Sequence, residues 1–200
     1  MKLIVAVVVL SAAIAAPASA QTKTSPAKPA PKSAAKPAAT SPDMAFAREA
    51  AIGGMAEVEL GNLAKQKASS SDVKQFGDRM VTDHSKGGEE LKQWAQSKNL
   101  TLPAELDAKH KALRDRLAKL PTDAFDRQYM NEMVMDHQHD VMAFKREASS
   151  GKDADLKAWA ARTLPTLEEH LKMAKDAAMK VGASTGGAKK SSEPKGRSGR

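Results

Sequence analysis

Apolar positions recur at steps of three and four over four long stretches, separated by short polar runs rich in serine, glycine and proline. This spacing is that of amphipathic helices with one face turned to a core. The pattern predicts long helices over about 43–68, 72–97, 123–149 and 153–180. A shorter helix is expected over about 104–119, between Pro103 and Pro121. The predicted stripes are Phe46, Ala50, Gly53, Leu60 and Ala64; then Val73, Met80, Leu91 and Trp94; then Met130, Met133, Phe144 and Ala148; then Leu156, Ala160, Leu167, Ala174 and Val181. Strand signals are scarce, with one tyrosine and four phenylalanines in 200 residues. Four stripes of this kind bury one another in a bundle.

The breaks between helices have local causes. The run Ser69-Ser70-Ser71-Asp72 offers a helix cap before Val73, and Thr122 offers one after Pro121. Proline at 103 biases the preceding residue away from helix. Gly151 suits a helix C-terminus. Short connections make the first two long helices antiparallel neighbours, and likewise the last two. The segment 98–122 is a long connection that carries its own helix.

Each stripe has a polar gap. Stepping along the helical spacing from Gly53, Met80, Met133 and Leu167 lands on Glu57, His84, His137 and His170. One ionisable group therefore interrupts each long helix, at similar depth. A buried carboxylate costs several kcal/mol unless it is paired or bound to a metal. Neutral imidazole is a good ligand for zinc, iron, copper or nickel, and three histidines with one glutamate can fill a four-coordinate site. Asp83 and Asp136 directly precede two of these histidines and are candidates either as ligands or as hydrogen-bond partners that fix a histidine tautomer. The alternative is a metal-free network of histidine and carboxylate that sets helix register. Pro165, inside the last helix, is expected to free a carbonyl and kink the helix just before His170.

A second pattern, Met135, His139 and Met142, lies at steps of four and three on a different face. Thioether with imidazole suits reduced copper. The plainer expectation is that the methionines fill bundle gaps and His139 is exposed. His110, in the polar connecting helix, is expected at the surface.

The ends of the chain add compartment and charge. Residues 1–20, MKLIVAVVVLSAAIAAPASA, read as a cleavable signal peptide ending between Ala20 and Gln21. The apolar run is too short for a span, so no transmembrane segment is expected in the mature chain. With no cysteine anywhere, disulfides and a cysteine-linked lipid are excluded. Residues 21–42, rich in lysine, proline and alanine, read as a disordered spacer, and 182–200 as a basic glycine- and serine-rich tail. The net charge of +8 sits in these ends: 1–42 has five lysines and no acid, and 182–200 has five basic residues and one glutamate. The bundle segment 43–181 is left with 22 basic and 23 acidic residues, a net −1. The chain therefore offers no basic face for nucleic acid, which export also disfavours, whereas the tails could touch an anionic envelope surface or an envelope protein.

The motifs EVELGNLA at 57–64, MVTDH at 80–84, MVMDH at 133–137, FDRQYM at 125–130 and LPTLEEHL at 164–171 resemble a bacterial group of exported proteins, domain of unknown function 4142. Members are often labelled outer-membrane or periplasmic proteins. The resemblance covers roughly 43–180 and implies a ferritin-like antiparallel four-helix bundle without a settled activity. True ferritin-type diiron bundles carry Glu-x-x-His on two helices. Here the positions three before His84, His137 and His170 are Val81, Val134 and Leu167, so that pattern is missing. Asp136 could stand in for one carboxylate. Three functions stay open at this point. The first is an exported, periplasmic domain binding a transition metal (iron, zinc, manganese or copper). The second is a non-catalytic envelope interaction module with a metal-free core network. The third is a metal-dependent oxidoreductase.

Overall fold

A computed structural model describes residues 41–183. The expected signal peptide, most of the expected spacer and most of the expected tail lie outside the described residues. The described chain is all-α, with α1 at Pro42–Lys67, α2 at Ser71–Ser97, α3 at Ala108–Ala118, α4 at Thr122–Ser150 and α5 at Ala154–Lys180. Helix α5 runs on through Pro165.

Two apolar clusters show how the chain runs. One gathers the end of α1, the start of α2, the start of α4 and the end of α5, around Leu60, Phe76, Met80, Tyr129, Met133 and Ala174. The other gathers the opposite ends, around Phe46, Leu91, Phe144, Leu156, Trp159 and Leu167. Helices α1 and α5 therefore run one way and α2 and α4 the other. The 98–121 connection with α3 carries the chain from one end of the bundle back to the other. Each cluster is an aromatic and aliphatic plug, and the polar stripe gaps fall between the two.

The hairpin α1–α2 is unusually close at one point. A Cβ on Gly61 would stand 2.7 Å from the Gly77 carbonyl oxygen, and one on Gly77 would stand 2.8 Å from the Gly61 carbonyl oxygen. Both positions need glycine because backbone meets backbone. The contact lies one turn beyond Glu57 on α1 and about two turns before His84 on α2, so it sets how closely those two side chains approach.

Capping differs in part from expectation. Ser41 accepts from the Met44 N–H at 3.2 Å, Asp107 from His110 N–H at 2.8 Å, and Asp153 from Asp155 and Leu156 N–H at 3.1 and 2.9 Å. Thr122 is not a cap: it is the first residue of α4, whose N-cap is Pro121 and lacks a side-chain bond. Ser70, in the expected serine run, is the N-cap of α2 but makes no side-chain cap bond. Asp126 of α4 secures this turn. Its carboxylate accepts from Ser69 N–H at 3.1 Å, Ser70 N–H at 2.8 Å and the Ser69 hydroxyl at 2.6 Å. Asp43 of α1 mirrors this, accepting from Lys152 and Asp153 N–H at 3.0 and 2.6 Å before α5. Each hairpin thus clamps the turn of the other with a carboxylate, where helix N-termini favour negative charge. Gly151 ends α4, but at φ −54°, not in the left-handed region. A Cβ there would press on the Glu147 carbonyl at 2.7 Å, which is the reason for glycine. Among the described residues no helix is long and apolar enough to cross a membrane.

Candidate metal centre

The four stripe gaps meet. Glu57 on α1, His84 on α2, His137 on α4 and His170 on α5 converge between the two apolar plugs. The three imidazole centroids form a near-regular triangle with sides of 5.8, 5.3 and 5.4 Å. One nitrogen of each ring lies within 4.8 Å of one nitrogen of each other ring. Glu57 stands against two of them, Oε2 at 2.8 Å from His84 Nδ1 and Oε1 at 3.2 Å from His137 Nε2. Glu57, His137 and His170 have no exposed surface, whereas the His84 side chain keeps 11% of its own.

On two of the three rings a hydrogen bond occupies one nitrogen and leaves the other as the acceptor. His137 Nδ1 donates to the Met133 carbonyl at 3.0 Å, one helical turn back, leaving Nε2 as the acceptor in the neutral ring. His170 Nε2 donates to Asp83 at 2.8 Å, leaving Nδ1. Asp83 is itself bonded by Arg79 of its own helix. Asp83 therefore sits outside the cluster as an orienting partner, the arrangement in which a carboxylate fixes the tautomer of a ligating histidine. Phe76 packs edge-on against His137 with centroids 5.9 Å apart and closes one end of the site.

Despite this closeness, buried polar atoms of all four residues are unsatisfied. His84 Nε2, His137 Nε2, His170 Nδ1 and both Glu57 oxygens are buried without an aligned hydrogen bond. The 2.8 and 3.2 Å approaches of Glu57 to the rings are thus contacts whose directions miss each other. Buried polar atoms are ordinarily paired, since an unpaired one costs about 1–3 kcal/mol.

A second group adjoins the first. Glu57, Asp136 and Asp140 each offer a carboxylate oxygen within 4.8 Å of the others. Asp136 was legible beside His137, whereas Asp140 was not singled out from the sequence. The available signal was its place one turn after Asp136, in DHQHD. Glu57 belongs to this carboxylate group and also stands against His84 and His137 of the other.

Burial governs the protonation of the cluster. It pushes the Glu57 carboxyl up to about 8, against the opposing attraction of His137. It also raises Asp136 and, more strongly, Asp140, where the other carboxylates add to it. It drives His84 and His170 down to about 4, and His137 down as well. Asp83 behaves oppositely: burial pushes it up, but the bonds from Arg79 and His170 outweigh this and hold it below the ordinary carboxylate range. At neutral pH the rings are uncharged donors. This donor set fits a transition metal, because neutral imidazoles and a carboxylate leaving its proton are what such an ion binds.

The remaining sequence candidates fall elsewhere. Met135 and Met142 are 53% and 63% exposed, so they fill no gap in the bundle, and His139 is exposed and paired with Glu49 at 2.7 Å. His110 is half-buried, not a free surface residue, and pairs with Asp107 at 2.7 Å.

The model of a domain of unknown function, DUF4142, matches residues 28–177. The chain belongs to the DUF4142 family. No curated protein matches it. Several solved structures share its fold. A DUF305 protein from Streptomyces coelicolor described as secreted is 17% identical, covers 76% of this chain and 99% of its own, and has a TM-score of 0.64. A DUF305 fragment from Deinococcus radiodurans is 11% identical over 70% of this chain and 97% of its own, at 0.62. CopM in its Cu(I)-bound form is 18% identical over 69% of this chain and 96% of its own, at 0.58. At these identities the likeness establishes the all-helical fold and no more.

Proposed function

We propose that this DUF4142 chain is an exported domain that binds a transition metal between its four long helices. Glu57, His84, His137 and His170 supply the ligands, Asp83 orients His170, and Asp136 lies beside Glu57. The observation that carries the proposal is the trio of imidazoles, one nitrogen of each within 4.8 Å of the others, with Glu57 against two of them and a buried, unbonded nitrogen on every ring. A metal-free register network would align these donors and acceptors with each other. Here the three rings bring a nitrogen each within 4.8 Å of one another, and no hydrogen bond joins ring to ring. Ligand atoms of one metal stand about 2.0–2.2 Å from it and so within about 4.5 Å of one another, which the imidazole spacing meets with a small contraction.

Copper is the leading candidate. CopM, which shares the fold, is known in Cu(I)- and Cu(II)-bound forms. Imidazole nitrogen suits copper, and copper heads the affinity order for divalent first-row ions. The fold is best described as ferritin-like by its one long crossover between the second and third long helices, although the ligand set is richer in histidine than that label implies. The signal-peptide pattern of residues 1–20 supports export to the periplasm, and the basic ends of the chain could hold the domain near an anionic envelope surface.

A second reading concerns stoichiometry. Asp136 and Asp140 have no ion-pair partner among the described residues, although they crowd Glu57. Two cations sharing Glu57 would neutralise all three carboxyls. Elemental analysis of the mature chain purified without chelator separates these readings. One equivalent that is lost in His137→Ala supports the single site, and two equivalents of which one is lost in Asp140→Asn support the pair. Less than ~0.2 equivalent, with no uptake on adding copper, zinc, iron or manganese, refutes metal binding at a site whose ligands require near-full occupancy.

A further inference from the structure

Four glycines interrupt the middle of the hairpin helices, Gly53-Gly54 in α1 and Gly87-Gly88 in α2. Each costs a helix interior about 1 kcal/mol relative to alanine. Packing asks for none of them. A Cβ on Gly53, Gly87 or Gly88 meets no atom within 4 Å, and one on Gly54 meets only His84 Nδ1 at 3.9 Å. Gly61 and Gly77 in the same two helices are the contrast, since there a Cβ strikes backbone.

Three of the four unneeded glycines lie where a passage would run. A cavity of about 40 Å³ is lined by Gly54, Glu57, His84, Gly88, Asp140 and His170, with Gly87 on its wall. A surface groove of about 690 Å³ lies between α1, α2 and the 100–106 segment, and it shares Gly54, His84 and Gly88 with that cavity. His84 is also the one imidazole of the triangle that keeps exposed surface. We propose that Gly54, Gly87 and Gly88 form a mouth on the His84 side of the metal centre. Through it the ion enters, and one small anion reaches the bound ion. This rests on the metal-binding reading above.

The cavity sets the size of that anion. At ~10–15 Å³ per water-sized position, 40 Å³ holds on the order of three such positions. A triatomic anion fits, and an aromatic carboxylate does not.

The test uses the full mature chain loaded with Cu(II) and titrated with azide or benzoate, with the visible charge-transfer band as readout. Azide should give a saturable new band and benzoate none. Gly88→Leu should weaken azide binding and slow copper uptake, each by tenfold or more, while bound copper per chain and the unfolding temperature do not fall. Gly53→Leu, at a glycine that does not line the mouth, should behave as the parent. Copper-loaded parent protein that is blind to azide, or that admits benzoate equally, overturns the mouth and leaves metal binding intact. So does a Gly88→Leu variant with unchanged azide affinity and uptake rate. A parent chain that takes up no metal overturns both readings.

Discussion

Glycine-to-alanine exchange at two positions of α2 should change stability in opposite directions. At Gly77 the new Cβ would sit 2.8 Å from the Gly61 carbonyl oxygen and 3.0 Å from Ala64 Cβ, where ordinary contact begins at 3.4 Å. Neither neighbour is a flexible chain end, so α1 and α2 must part by about half an ångström. Overpacking costs about 1–3 kcal/mol, and a clash with backbone falls in the upper part of that range, about 2–3 kcal/mol. Helix propensity returns about 1 kcal/mol, so Gly77→Ala should be net destabilising by about 1–2 kcal/mol. At Gly87 the new Cβ meets nothing, so the propensity gain stands alone and Gly87→Ala should stabilise by about 0.5–1 kcal/mol. For a domain of this size 1 kcal/mol shifts Tm by about 3–5 °C. The two variants should then bracket the parent, one about 3–10 °C below and the other about 1.5–5 °C above, in thermal unfolding of metal-free protein. Gly77→Ala should also weaken metal binding, because it draws Glu57 away from His84. If both substitutions shift stability the same way, or Gly77→Ala is neutral, the close hairpin contact is wrong.

Removing the carboxylate clamp on the other hairpin with Asp126→Ala should cost about 2 kcal/mol in urea unfolding, because it strands the Ser69 and Ser70 N–H groups. Glu57→Gln should keep the fold and the metal-free Tm within a few degrees. It should also cancel most of the metal-induced rise in Tm, which for the parent at a hundredfold excess over Kd corresponds to about 2.7 kcal/mol. Asp153 should contribute to an acid limb of the stability curve. Burial pushes its carboxyl up, but donors from Leu156, Trp94 and Lys98 outweigh this and hold it below the ordinary 3.8. A depressed carboxyl adds stability above the unfolded value and loses it as pH falls through the folded one. Asp153→Asn should therefore be less stable than the parent at pH 7, with the gap closing as pH falls below about 4, in unfolding measured across pH.

The helices were legible because their signals are local. Stripe spacing and Pro121 place the limits of the long helices within a few residues, and the same spacing finds Glu57, His84, His137 and His170 as polar breaks in apolar faces. What escaped was long-range. The clamp by Asp126 joins residues 57 apart in sequence, and nothing beside the serines at 69–71 announces it. Asp140 is a half-buried aspartate in a run of polar residues, and only the approach of Glu57 from α1 gives it meaning. Asp83 could be read as ligand or as partner, and the geometry places it behind His170. Met135 and Met142 show the reverse error, since helical spacing assigns a face but not whether a neighbour covers it.

X-ray absorption on copper-reconstituted mature protein tests the central claim most directly. Three inward imidazoles and Glu57 predict a shell of nitrogen and oxygen at about 2.0–2.2 Å with the outer-shell scattering of about three imidazole rings, lost in the His84→Ala, His137→Ala, His170→Ala triple variant. A sulfur-dominated shell, which would place the copper at Met135 and Met142, or a spectrum unchanged in the triple variant, would contradict it.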